Sequence, residues 1–312
     1  MTQPSASRIL RMNNPFDVAG SWLKGSLHVH TSASDGALTP DETLRRYRSL
    51  GCDFLAITDH ESVTIPTSVP EGIIWLPGVE YATTSFDPPQ QWHIISVGTE
   101  KRLAVTGYPV KTILKLLHEV SPFTILAHPY WSNQSGDDLL RVPPFDALEV
   151  YNHSSEMELE RGHSEILWDH VLSAGCRVWG LAADDAHHAE HIGGSWIMVR
   201  AGERSRAAII ESLRAGRFYS STGPEFLDMS VDSARLSVRT SPVQAISFMV
   251  DSFCRSTIDA ARGSSVSEAS YEYRSDESYL RIQITDVSGN MAWTNPLCFW
   301  GVVPNESEPS HA

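Results

Sequence analysis

The sequence predicts an α/β fold, a parallel-stranded barrel followed by a small antiparallel β-sandwich domain, and three observations predict it. Up to about residue 215, short wholly apolar strands alternate with amphipathic helices, the pattern of a parallel sheet covered on both faces. His30, His60, Glu80, His128, Asn152 and Asp185 fall at the C-terminal ends of those strands, which in a barrel form one mouth. Beyond Gly216 the pattern changes to short alternating segments with turns at Gly263 and Gly289.

Residues 1–24 read as a loose lead-in broken at Asn13-Asn14-Pro15. Leu27-His28-Val29-His30 is extended, so His28 and His30 point to one face, about 7 Å apart along the chain. The turn-forming run Thr31-Ser32-Ala33-Ser34-Asp35-Gly36 can fold Asp35 back over the same spot as an oxygen ligand. Thr39-Pro40-Asp41-Glu42 supplies an N-cap, a proline at the first helical position and a capping-box glutamate. Leu44, Tyr47 and Leu50 then recur at helical spacing, and Gly51 ends the helix. The apolar run Phe54-Leu55-Ala56-Ile57 is a buried strand that ends in Thr58-Asp59-His60.

Ile73-Ile74-Trp75-Leu76 runs into Pro77-Gly78-Val79-Glu80, and a strand from Trp92 to Val97 carries His93. A helix over 110–120 precedes the strand Phe123 to Ala127, which ends in His128-Pro129. The strand Ala147 to Val150 ends in Tyr151-Asn152-His153 and leads into a helix over about 156–174. Val178 to Ala182 ends in Asp184-Asp185-Ala186-His187, and a strand over 195–200 with a helix over 204–215 completes the series. Segments 226–231, 234–239, 245–250, 270–274 and 279–285 build the second domain. The expected division is a lead-in at 1–24, a barrel at 25–222, a β-sandwich-like domain at 223–304 and a disordered tail at 305–312.

The 312 residues are 41% hydrophobic and 20% charged, ordinary for a soluble globular protein. Cys52, Cys176, Cys254 and Cys298 form no ligand spacing and read as reduced thiols of a cytoplasmic protein. The N-terminus has no apolar signal core, and no run of 18 apolar residues occurs, so neither export nor a membrane partner is expected. A formal net charge of -14 repels polyanions and excludes duplex nucleic acid as a partner, so an anionic substrate needs local positive charge.

The candidate metal ligands are His28, His30, Asp35, His60, Glu80, His93, His128, Asp185 and His187. Taken alone, His93 reads equally as a core histidine. Asp185 and His187 repeat the alternation of His28 and His30. Oxygen and nitrogen donors without a thiolate suit two or three divalent ions of the Zn, Mn or Fe type.

In sequence order these residues form His28-Val-His30-Thr-x-x-Ser-Asp35-Gly, Ile-Thr-Asp59-His60, Gly-Val-Glu80, His93, Ala-His128-Pro and Asp185-Ala-His187. The set resembles the polymerase-and-histidinol-phosphatase (PHP) family of metallophosphoesterases over residues 25 to about 190, with Asp35 where some members have histidine. The resemblance implies a distorted (β/α)7 barrel with up to three metals. It assigns His28, His30, Glu80 and Asp185 to one ion, Glu80, His93 and His128 to a second, and Asp35, His60 and His187 to a third. The segments 216–224 and 292–296 resemble the branch with a C-terminal β-domain that includes carbaryl-hydrolase-like proteins.

Three divalent ions outweigh the carboxylates of Glu80, Asp35 and Asp185 and leave a cluster of roughly +3, enough to hold phosphate inside an acidic protein. The expected reaction is hydrolysis of a small phosphomonoester by a hydroxide bridging two ions. Asp59 is expected to orient a histidine, and His153 or Asp184 to protonate the leaving oxygen unless each is structural. Arg217, Lys24 and Arg161 are candidate phosphate contacts, weighed against ordinary solvated charges. The alternatives are a phosphodiesterase on short oligonucleotides, a carbamate, ester or amide hydrolase, and a metal-stabilised binding module without catalysis. Neither the oligomeric state nor the substrate is legible.

Overall fold

The computed structural model describes residues 14–86, 89–232, 235–251, 253–274 and 277–299. Most of the expected lead-in and the whole of the expected tail at 305–312 lie outside the described residues. The first half comprises β1 (Ser21–Ser26), α1 (Pro40–Ser49), β2 (Phe54–Ile57), β3 (Ile74–Phe86), β4 (Pro89–Val97), α2 (Val110–Val120), β5 (Phe123–Leu126) and α3 (Gly136–Leu140). It continues with β6 (Ala147–Asn152), α4 (His153–Leu159), α5 (Glu165–Ser173), β7 (Trp179–Ala183), β8 (Trp196–Ala201), α6 (Arg206–Arg214) and β9 (Phe218–Ser221). The remainder is all β: β10 (Phe226–Asp232), β11 (Arg235–Val243), β12 (Ala245–Val250), β13 (Phe253–Asp259), β14 (Val266–Glu272), β15 (Tyr279–Thr285), β16 (Met291–Thr294) and β17 (Cys298–Phe299).

One large sheet runs β7-β6-β5-β4-β3-β2-β1-β8-β9-β16-β15-β12-β13, with β17 on β15. It is mixed, not parallel as the sequence suggests: β3, β4 and β5 pair antiparallel, as do β1 and β8. Only two residues separate β3 from β4, too few for the crossover a parallel pair requires. No ladder closes the expected barrel, because β1 spends its two edges on β2 and β8. The ring is drawn together past the strand ends, where His30 N–H donates to the Ala186 carbonyl and Asp185 N–H to that of His28, at 3.1 and 3.0 Å, and by the Ser220 hydroxyl of β9, which accepts from Ala182 N–H and donates to the Gly180 carbonyl of β7.

Both faces of the strands are covered, which is why they read as unbroken apolar runs. Phe54, Ala56, Phe123, Ile125, Ala147, Trp179 and Leu181 face one buried cluster, to which α6 adds Ile209 and Leu213. Alternate residues such as Leu126, Leu148, Val150 and Ala182 face a second cluster with Ile113 and Leu117 of α2 and Trp168 and Val171 of α5. Helix α1 starts as expected, with Thr39 and Glu42 forming a reciprocal capping box. The single helix expected at 156–174 is two. Glu160 turns left-handed at φ 56, and Gly162 lies against the Asn152 carbonyl with no room for a Cβ before α5 begins.

A ladder joins the C-terminal strands to the first half. β16 pairs with β9, setting Trp293 beside Ser220, so the large sheet continues into the C-terminal strands. The sandwich forms where a three-stranded sheet, β10-β11-β14, packs Met229, Leu236 and Val238 on Ile246, Phe248, Ile282 and Ile284 of the large sheet.

Candidate metal centre

All nine expected ligands converge. His28 and His30 follow β1, His60 follows β2, His128 follows β5, and Asp185 and His187 follow β7. Glu80 differs from the strand-end expectation: it projects from within β3, and the antiparallel ladder brings it to His93, which lies within β4 as expected. His128 and Asp185 adopt positive φ, 27° and 51°, conformations that cost non-glycine residues about 1–3 kcal/mol and cluster at functional sites.

At the floor, His28 Nε2, His30 Nε2, Glu80 Oε2 and Asp185 Oδ1 surround a point. The two imidazole nitrogens are 3.0 Å apart, and each lies 3.0–3.3 Å from both carboxylate oxygens. Four donors placed tetrahedrally about 2.0 Å from a zinc-like ion are separated by about 3.3 Å. A second group forms around the other oxygen of Glu80, with His93 Nδ1 at 2.9 Å and His128 Nε2 at 3.6 Å. Asp35 gathers a third, with His30 Nδ1, His60 Nε2 and His187 Nε2 at 3.3–3.5 Å. His60 also places Nδ1 3.3 Å from Glu80 Oε2, so its ring stands between groups.

The donor set fits cations. Glu80 Oε2, Asp185 Oδ1 and His60 Nδ1 are buried and lack a hydrogen-bond partner, and each such atom costs about 1–3 kcal/mol if left so. Burial disfavours the charged form of His28, yet the carboxylates of Asp185, Glu80 and Glu149 outweigh it and raise its pKa well above the usual range. Burial opposes ionisation of Glu80, but His28 and His93 hold its carboxyl well below the usual range. Buried charges so arranged are the environment of a polycation.

Glu149 was missed by sequence reading. It is fully buried, accepts Nδ1–H of His28 at 2.6 Å, the His128 N–H at 2.8 Å and the Asn152 amide at 2.7 Å. That bond leaves Nε2 of His28 facing the donor cluster. The Asn152 amide also reaches Asp185 at 3.1 Å. The available signal was a carboxylate between Leu148 and Val150, on the same face as Ala147.

The other expected residues lie elsewhere. Asp59 accepts from Thr31 N–H, the Thr31 hydroxyl and the Ser34 hydroxyl, each at 2.7 Å, so it fastens the turn before Asp35 rather than a histidine ring. Asp184 is turned from the mouth to accept from the Tyr47 hydroxyl and the N–H groups of Gly193 and Ser195, and burial pushes its carboxyl up to about 6. His153 packs on Gly194, where a Cβ would come within 2.1 Å of the ring, and bonds the Tyr151 hydroxyl at 3.1 Å. Lys24 stands 3.9 Å over the Trp196 ring. Arg217 pairs with Glu211 at 3.2 Å at the opposite end of the strands. Arg161 lies over the ring of Tyr130, the chain neighbour of Trp131. The mouth itself is a cavity of about 370 Å³, in which Trp131, Ser154, Ser155, Glu158 and His188 stand around the donors.

Fold and donors together define a mixed α/β protein with a His/Asp/Glu cluster that could hold divalent metal ions. Residues 178–218 match the family model described as PHP-associated, in agreement with the resemblance carried by the motifs. No curated protein sequence matches the chain. It is similar to a two-domain protein from Bacteroides vulgatus containing a predicted PHP-like metal-dependent phosphoesterase, at 16% identity and TM-score 0.48, over 89% of this chain and 96% of that one. It is also similar to an amidohydrolase from Chromobacterium violaceum, at 17% identity and TM-score 0.40, over 62% of this chain and 96% of that one. A lesion-specific endonuclease from Pyrococcus furiosus matches at 13% identity and TM-score 0.46, over 62% of this chain and 56% of that one.

Proposed function

We propose that the chain is a metal-dependent hydrolase of the PHP phosphoesterase type that cleaves a phosphomonoester of a small metabolite or nucleotide. The observation that carries this reading is the convergence of His28, His30, Glu80 and Asp185 at the floor of the mouth, where the two imidazole nitrogens lie 3.0 Å apart and each lies 3.0–3.3 Å from both carboxylate oxygens. In this reading the curled sheet is a distorted (β/α)7 barrel. His28, His30, Glu80 and Asp185 would hold one ion, Glu80, His93 and His128 a second, and Asp35, His60 and His187 a third. Divalent ions of the Mn, Zn or Fe type supply Lewis acidity towards a phosphoryl oxygen and acidify an attacking water.

The chain's own residues aim and enclose. Glu149 keeps the proton on His28 Nδ1, Asn152 ties Glu149 to Asp185, and the Ser132 hydroxyl sits 3.1 Å from Nδ1 of His128. Trp131 walls one side of the mouth, and Ser154 and Ser155 offer hydroxyls to a bound substrate. Net charge of -14 favours a small substrate over a polynucleotide. No helix among the described residues is long and apolar enough to cross a membrane, and the free thiols of Cys52, Cys176 and Cys254 support a reducing compartment such as the cytoplasm.

Hydrolysis of a carbamate, ester or amide is the second reading. It is favoured by one observation: among the described residues lining the mouth there is no lysine or arginine. Phosphate release from phosphorylated metabolites, nucleotides and short oligonucleotides, measured on Mn-loaded and Zn-loaded protein, separates the two. Release abolished by chelator and by His128→Ala is the expected outcome. No release from protein that holds its metals, with cleavage of a carbamate or ester, would replace the first reading by the second.

A further inference from the structure

A second cavity, of about 820 Å³, lies at the other end of the same strands. Its apolar side is formed by Leu76 and Pro77 at the start of β3, Pro122 before β5 and Ile210 of α6. Three residues along β3 separate it from Glu80, five along β4 from His93 and six along β5 from His128, which at strand rise is roughly 10–20 Å. No side chain lines both cavities.

Three arginines line it. Arg206, Ile210 and Arg214 recur every four residues and so share one face of α6, and Arg217 follows the helix. The Arg206 guanidinium lies 4.5 Å from the Trp75 ring centre, which holds it as a flat plate. Arg214 is exposed at the last turn of α6. Glu100 and Glu211 are the acids at the cavity, and Glu211 pairs with Arg217 at 3.2 Å, so Arg206 and Arg214 face one further acid in a chain whose overall charge is strongly negative. An ordinary solvated arginine explains any one of these positions. It does not explain three around one apolar cavity of ligand size.

We propose that this cavity binds a small organophosphate with a flat apolar body, of which a nucleoside monophosphate is the type. The guanidinium forks of Arg206, Arg214 and Arg217 match phosphate oxygens in pairs. Pro77, Pro122 and Ile210 offer the surface for the base, and Glu100 offers an acceptor for sugar hydroxyls. A fatty carboxylate would engage one fork of Arg206 and Arg214 and leave the other without an anion. The proposal is independent of the reaction at the mouth.

The test is equilibrium dialysis of full-length, chelator-treated protein against adenosine monophosphate, inorganic phosphate and decanoate. Saturable binding of the nucleotide, unchanged by His128→Ala and weakened at least tenfold by Arg206→Gln with Arg214→Gln, is the expected result. Both arginines are exposed, and an unaltered unfolding midpoint establishes that the double variant is folded. The single Arg217→Gln variant, which leaves α6 intact, is expected to weaken binding in the same direction. Absence of saturable binding, loss with His128→Ala but not with the arginine variants, or a preference for phosphate alone or for decanoate would each overturn the proposal. Loss with His128→Ala alone would place the nucleotide at the mouth instead, and the metal centre is read separately by its metal content.

Discussion

Glu149 has three hydrogen-bond donors and no exposure, so its effect is on the aim of His28 and on the backbone at His128. Glu149→Ala should lower metal affinity about 10–100-fold, as loss of a ligand-orienting carboxylate typically does. Competition with a chromogenic chelator measures this, and Glu149→Gln, which keeps an acceptor for Nδ1–H, should recover part of the loss. A variant that retains zinc as firmly as the parent would remove Glu149 from the site. Seven of the nine donors were legible by residue type and by position after apolar runs, and Glu80 and His93, which lie within strands, by the motif order of the resemblance. Glu149 was not, because it lies within a strand and only its inward register marks it. The partners of Asp59 and Asp184 were equally hidden, since a carboxylate beside a ligand in sequence faces whichever donors the loops bring to it.

Among the elements, α1 was the most readable, because a capping box and N1 proline act locally and need no tertiary contact. Its Tyr47 donates to Asp184 under the mouth, so the helix start matters to the site it never touches. Thr39→Ala should cost about 1 kcal/mol of stability, seen as a lower denaturant midpoint at unchanged slope. No change in midpoint would mean that α1 is held by packing alone. The break between α4 and α5 was less readable, since no proline marks the polar run from Glu160 to Glu165 and Gly162 signals only by what lies against it. Likewise β4 carries the same apolar content whether parallel or antiparallel, and only the short connection to β3 decides.

At the scale of the molecule, strand composition carries no record of which edge each strand joins, so the continuation of the large sheet through β9 and β16 was invisible. Its consequence is mechanical unity. The Asn295 side chain receives Gly180 N–H and donates to the carbonyls of Gly216 and Phe218. Arg281 of β15 is wholly buried against Asp169 of α5, with two hydrogen bonds of 2.7–2.8 Å. Removing one partner of such a buried pair costs about 3–5 kcal/mol. A chain ending at residue 224 should therefore fail to unfold cooperatively in urea. A sharp transition from that fragment, with metals bound, would make the first half an independent domain after all.

The central claim is that the convergent donors are a metal centre. The most direct measurement is elemental analysis of the purified full-length chain alongside Glu80→Gln, whose side chain loses the carboxylate common to two of the three groups. Two or three divalent ions per chain, removed by chelator and reduced in Glu80→Gln, is the predicted result. A folded parent protein that takes up no divalent ion from excess Mn or Zn would contradict the account.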